Sequence, residues 1–117
     1  MTRASQPRID YRGDVPVVSL GGEVDLIQAQ MLRDQLLGAV RNQDLGLVID
    51  LADATYIDSV GVSLLFELAE RLAERQLQLA VVLPEDGLVE RVLSIVDLKS
   101  VAQVHREVDA AVSAVGT

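Results

Sequence analysis

Cysteine is absent from this chain. That rules out a disulfide framework and any thiolate metal site, and it suits a reducing compartment. Histidine is almost as scarce. His105 stands alone, so a zinc centre or a histidine-dependent hydrolase would lack its usual parts. Aromatic side chains make up 3% of the residues, with Phe66 the single phenylalanine. No arginine cluster with interleaved aromatics is present to bind nucleic acid, and 18 acidic against 10 basic residues give a net charge of −8 that repels a phosphate backbone. No apolar run approaches the roughly 20 residues that span a bilayer. The opening MTRASQPRIDY has no apolar stretch of the kind a signal peptide needs. Direct membrane insertion is therefore not expected, nor is a cofactor or metal. The expected setting is cytoplasmic and the expected partners are proteins, met through an acidic surface.

What remains is a soluble balance, 50% apolar and 24% charged over 117 residues, enough for one domain with its own core. Residues 1–8 are polar and basic around Pro7 and read as a flexible tail ahead of a domain over 9–117. Ile9–Arg12 and Val15–Leu20 read as a hairpin about Gly13-Asp14. Gly21-Gly22 ends the second strand. Ala29, Leu32, Leu36 and Val40 fall at helical spacing across Asp25–Arg41, with Asp25 as the expected cap. Leu45–Leu51 is nearly all apolar, as a strand buried on both faces should be. Val60–Arg75 carries a stripe of Leu64, Leu65, Leu68 and Leu72, then Leu77–Leu83 forms another strand before Pro84. A third helix over Gly87–Val96, a short strand over Val101–Val104 and a fourth helix over Glu107–Val115 complete the chain. This alternation predicts an α/β domain with a mainly parallel mixed sheet and an antiparallel amino-terminal strand. About four helices would pack mostly on one face. In such sheets the functional surface gathers at the carboxyl ends of the strands, here the loops Gly21–Asp25 and Ala52–Ser59.

The second of those loops runs into Asp58-Ser59-Val60-Gly61 at the opening of a helix. The serine is either a cap or a hydroxyl displayed for chemistry, and the tetrapeptide alone fits both. Its setting is more specific. GGEVDL after the second strand, LVIDLADATYIDSVG from the third strand into the second helix, and VERVLSIVDL in the third helix resemble a STAS domain of the anti-sigma factor antagonist family, over about Ile9 to Val115. Two positions depart from that pattern: Val60 stands where a second small residue is frequent, and Val96-Asp97 where Thr-Gly is common.

The resemblance implies that Ser59 is phosphorylated by a serine kinase that is itself the anti-sigma factor. Asp25 matches an acidic residue that the family uses in partner contact. Asp58 reads either as a second capping carboxylate or as a partner contact beside it, and the chain is not expected to be an enzyme. From the helical wheel, Phe66 and Val62 lie off the leucine stripe on the same flank of the second helix and are expected to be exposed partner contacts. Asp50 and Asp53 are read as loop-stapling carboxylates, Gly61 as a close-packing position and His105 as a surface or edge residue. A weak homodimer is left open. The alternative function is a STAS subunit of a membrane transport or other regulatory complex without a phosphate switch. A phospho-aspartate receiver does not fit, because VVSLGG ends in glycines and Lys99 precedes the final strand. No glycine-rich phosphate loop is present either.

Overall fold

The computed structural model describes residues 7–116, with the backbone alone at residues 26–28 and 30. These residues form β1 (Arg8–Arg12), β2 (Val15–Ser19), β3 (Gly22–Val24), α1 (Leu26–Ala39), β4 (Gly46–Asp50) and β5 (Ala54–Ile57). There follow α2 (Ser59–Glu74), β6 (Gln78–Val82), α3 (Leu88–Ile95), a 3-10 turn at Leu98–Ser100, β7 (Gln103–His105) and α4 (Val108–Val115). The main sheet has the order β1-β2-β4-β6-β7. Only the β1–β2 pair is antiparallel.

The alternation of side chains across each strand sorts the core into two layers. Val18, Leu47, Ile49, Leu79 and Val81 face α1, α2 and α3, whose Leu32, Leu36, Leu64, Leu65, Leu68, Val89 and Leu93 complete the larger layer. Val17, Val48, Ala80 and Val82 point the other way and are covered by Ala111 and Val115 of α4. Three helices thus share one face and α4 has the other to itself. β4 is buried on both sides, which accounts for its unbroken apolar sequence.

The expected tail falls largely at residues 1–6, outside the described residues, but Arg8 is already paired with Ser19 in β1. A larger correction concerns the two loops at the carboxyl ends of the strands. Their sequences read as loops, yet β3 and β5 lie within them and pair in parallel as a separate two-stranded sheet. Segments of three and four residues carry too little periodicity to be seen in isolation, and their pairing is irregular between Gly22 and Glu23. The third helix ends with Asp97 at φ 59° and ψ 51°. Aspartate thus occupies the left-handed position usually given to glycine.

Candidate functional site

Ser59 is the first residue of α2 and is exposed. Asp58 precedes it in extended geometry (φ −98°, ψ −178°), and its Oδ1 accepts the Gly61 N–H at 2.9 Å. Its carbonyl accepts the Val62 N–H at 2.9 Å, and its own N–H donates to the Val24 carbonyl at 3.2 Å. The cap of the helix is therefore Asp58, not Ser59. Of the two roles the tetrapeptide allowed the serine, capping is already taken, and Ser59 is left exposed in the first turn.

The small sheet brings the two loops together. Val24 pairs with Ile57, so Asp25 and Asp58, each the next residue along, leave the sheet side by side. Asp25 is half-buried and its carbonyl accepts the Ala29 N–H at 2.8 Å as α1 begins. Gly61 makes this junction possible. A Cβ there would stand 2.7 Å from the Val24 carbonyl oxygen and 2.7 Å from Ile57 Cγ1, so only glycine lets α2 start this close to β3. The close-packing role expected of Gly61 is what the structure has. Asp50 also behaves as expected, its Oδ1 accepting the Ala52 N–H at 3.0 Å.

Val62 and Phe66 lie one and two turns beyond Ser59 on α2, as the wheel required. They are half-buried and pack against the larger core layer, not substantially exposed. The reason is that the buried arc of α2 is wider than its leucines. It includes Gly61 and Ala69, and Ala69 follows Phe66 by one turn on the flank that Val62 shares. Sequence reading missed Tyr56, which is 44% exposed on β5 just before Asp58. It also missed the outer face of α3, where Leu88 is 51% and Ile95 79% exposed. α3 lies against β5, so these apolar side chains belong to the same end of the molecule. Leu88 and Ile95 are seven residues apart on α3, a spacing that could have marked them.

Residues 6–111 match the STAS domain. The chain belongs to the STAS domain family. The anti-sigma-F factor antagonist RsfB of Mycobacterium tuberculosis is 37% identical over 65 residues, covering 56% of this chain and 52% of that protein. The chain thus matches about half the length of that curated relative. Among solved structures, an anti-sigma factor antagonist from Mycobacterium paratuberculosis superposes with a TM-score of 0.85 at 25% identity, covering 98% of this chain and 96% of the other. The Bacillus cell fate determinant SpoIIAA in its phosphorylated form gives a TM-score of 0.69 at 17% identity, over 94% of this chain and 99% of that one. SpoIIAA is similar in fold. Among the described residues no helix is long and apolar enough to cross a membrane, and no cluster of side chains could hold a metal ion.

Proposed function

We propose that this STAS domain is an anti-sigma factor antagonist. It is a binding protein, not an enzyme. While Ser59 is bare it engages an anti-sigma factor with serine kinase activity, and so frees a sigma factor in the cytoplasm. Phosphorylation of Ser59 switches it off. The observation that carries this reading is the division of labour at the start of α2: Asp58 caps the helix, which leaves an exposed Ser59 hydroxyl with no structural duty. Similarity to RsfB and to the M. paratuberculosis antagonist supports the partner class.

The physical chemistry is compatible with a switch by local charge. The first turn of α2 offers unpaired N–H groups and the favourable end of the helix dipole, worth about 0.3–1 kcal/mol to an exposed anion. A phosphate adds a charge of about −1.5 to −2, next to Asp58. The fold can hold it, but a partner seated over the neutral hydroxyl would have to desolvate it beside another carboxylate. Tyr56, Asp25, Asp58, Val62 and Phe66 would surround that contact, with Leu88 and Ile95 extending it.

Two measurements test the reading. With the partner kinase and ATP, mass spectrometry should find one phosphate on the wild type and none on Ser59→Ala. Equal labelling of the variant, for instance at Ser63 or Thr55, would overturn it. Affinity capture from cytosol with bare and phosphorylated protein should retain a kinase-type ATPase on the bare form alone. Retention of a membrane transporter by both forms would favour the alternative role in a transport complex.

A further inference from the structure

β1 is an edge strand whose outer side is bonded to no other strand among the described residues. All five of its residues are exposed. Its free hydrogen-bonding groups can be assigned. Gly13 has φ +64° and Asp14 completes a two-residue turn, so Arg12 and Val15 close the hairpin as a hydrogen-bonded pair. Alternation then makes Tyr11–Pro16 and Ile9–Val18 the pairs without mutual bonds, and Pro16, which has no N–H, agrees. The N–H and C=O groups of Ile9 and Tyr11 therefore face outward. The side chains of Ile9 (41% exposed) and Tyr11 (45% exposed) lie on the α1 side, where the Tyr11 hydroxyl donates to the Ala39 carbonyl at 2.8 Å. Arg8, Asp10 and Arg12 lie on the α4 side, and Arg12 is paired with Asp109 of α4.

Charged edge strands commonly prevent sheet-to-sheet association. Here the signs alternate, and that changes the outcome when the strand meets itself. A two-fold axis that joins the outward groups of two copies in antiparallel fashion can sit at Ile9, Asp10 or Tyr11. At Asp10 it sets Asp10 against Asp10 and Arg8 against Arg12, like against like. At Tyr11 it needs Gly13, which is turned out of the extended conformation, as the partner of Ile9. At Ile9 neither objection arises. Ile9 exchanges both of its bonds with Ile9 of the second copy. Tyr11 N–H donates to the Pro7 carbonyl, and the one ladder bond lost is the one to the Tyr11 carbonyl, because proline has no N–H to return. Arg8 stands opposite Asp10 in both symmetry-related pairs. On the other side, Ile9, Tyr11 and Pro7 of the two copies cover one another.

We propose that β1 is a self-association edge. Two copies of this chain join antiparallel about Ile9 to make one continuous sheet, with the charges of Arg8 and Asp10 selecting the register. The contact is short and the two copies carry the same net charge, so the dimer is weak. It leaves α2 and Ser59 uncovered, and it is independent of the function proposed for that end.

Sedimentation of the full chain over a concentration series should show a reversible monomer–dimer equilibrium. Ile9→Pro removes an outward N–H without touching the β1–β2 bonds, so it should stay folded by circular dichroism and sediment as a monomer. Arg8→Asp and Asp10→Arg, made singly, should each weaken association about tenfold. The double variant Arg8→Asp/Asp10→Arg should restore it, a rescue that a purely protective edge would not show. Because the chain has no cysteine, single-cysteine variants report the register directly. Ile9→Cys should cross-link on mild oxidation, since directly opposed residues of a bonded pair lie about 5.5 Å apart at Cα. A wild type that stays monomeric to its solubility limit would overturn the proposal. So would cross-linking at Asp10→Cys in place of Ile9→Cys, or a dimer indifferent to the charge exchange.

Discussion

The two ends of the parallel strands use carboxylates in opposite ways. At the amino end of β4, Asp44 has a fully buried side chain and is saturated by one neighbour. It accepts from the Arg41 N–H at 2.6 Å, from Nη2 at 2.8 Å and from Nε at 3.1 Å. The Arg41 guanidinium lies 3.9 Å from the centre of the Tyr11 ring and also donates to the Gly13 carbonyl at 3.0 Å. One ion pair therefore ties the α1–β4 connection to the β1–β2 hairpin. At the carboxyl end, Asp58 caps α2 and its N–H ties it to β3, and the exposed serine beside it makes no bond of this kind. Charge is locked in at one end. At the other it is kept beside a free hydroxyl, where adding more can alter binding without dismantling the core.

The sharpest way to set the ends apart is to add charge at the carboxyl end. Phosphorylation of Ser59 should lower partner affinity by a hundredfold or more, about 2.8 kcal/mol, with little change in melting temperature. Ser59→Asp, with one charge and less volume, should reproduce part of the loss in a calorimetric titration, and Ser59→Ala none of it. Amide shifts on phosphorylation should stay near Ser59 and the Gly21–Asp25 loop. Shifts spread through α3 and α4 would mean that the ends are coupled after all.

The amino end should answer in stability instead. Asp44→Ala leaves the Arg41 N–H and guanidinium without their acceptor and should cost about 1–3 kcal/mol in urea unfolding, with partner affinity unchanged. Hydrogen bonds from Arg41 hold the Asp44 carboxyl below its ordinary pKa, against the opposing effect of burial. A carboxyl lowered in the folded state stabilises the protein above its unfolded value of about 3.9 and loses that contribution as the pH falls through the folded value. The gap between wild type and Asp44→Ala should therefore be full at neutral pH and shrink in acid below that value. A gap that is constant with pH would show that Asp44 acts through packing and not through its charge.

Much of this contrast was legible before the structure. The α/β class, the antiparallel first strand and the four helices follow from periodicities that run over whole elements. The leucine stripe of α2 and the two-sided burial of β4 do as well. Ser59 and Asp58 stood out because a polar pair sat between an apolar strand and a helix. What escaped depended on long-range pairing or on small residues. β3 and β5 are too short to carry a period, so the sheet that sets Asp25 beside Asp58 was invisible. Ala69 widened the buried arc of α2 and took Val62 and Phe66 partly under cover. Truncating Phe66 must therefore be expected to cost stability as well as binding, and only comparing the two in the same variant separates them. The Arg41–Asp44 lock was also unseen, since a charged pair three residues apart in a loop looks like ordinary solvated surface.

Gly61 offers a way to break the comparison by damaging the carboxyl end itself. A Cβ at this position meets the Val24 carbonyl, a backbone atom that cannot rotate away and that already accepts the Asp58 N–H. Gly61→Ala should cost about 1–3 kcal/mol, the range for an overpacked site, and should also weaken the partner because it displaces the Asp25 and Asp58 loops together. Retained affinity in a destabilised Gly61→Ala protein would detach the small sheet from the binding surface.

The smallest effects discriminate best between cap and switch. Asp58 supplies the oxygen that binds the Gly61 N–H, so Asp58→Ala should lower stability by about 1 kcal/mol, as cap removals do. Ser59→Ala removes a hydroxyl that the helix does not use and should fall within about 0.5 kcal/mol of wild type, the range for an exposed position. Adjacent residues, both polar and both at the helix start, should thus differ in chemical denaturation in the order opposite to the one expected if serine were the cap. Asp58→Asn keeps a capping oxygen and removes the charge. It should restore most of the stability lost in Asp58→Ala while lessening the repulsion a phosphate meets next door. If Ser59→Ala proved as costly as Asp58→Ala, the hydroxyl would be a structural element of the first turn. Its phosphorylation would then be a folding event and not a change of surface.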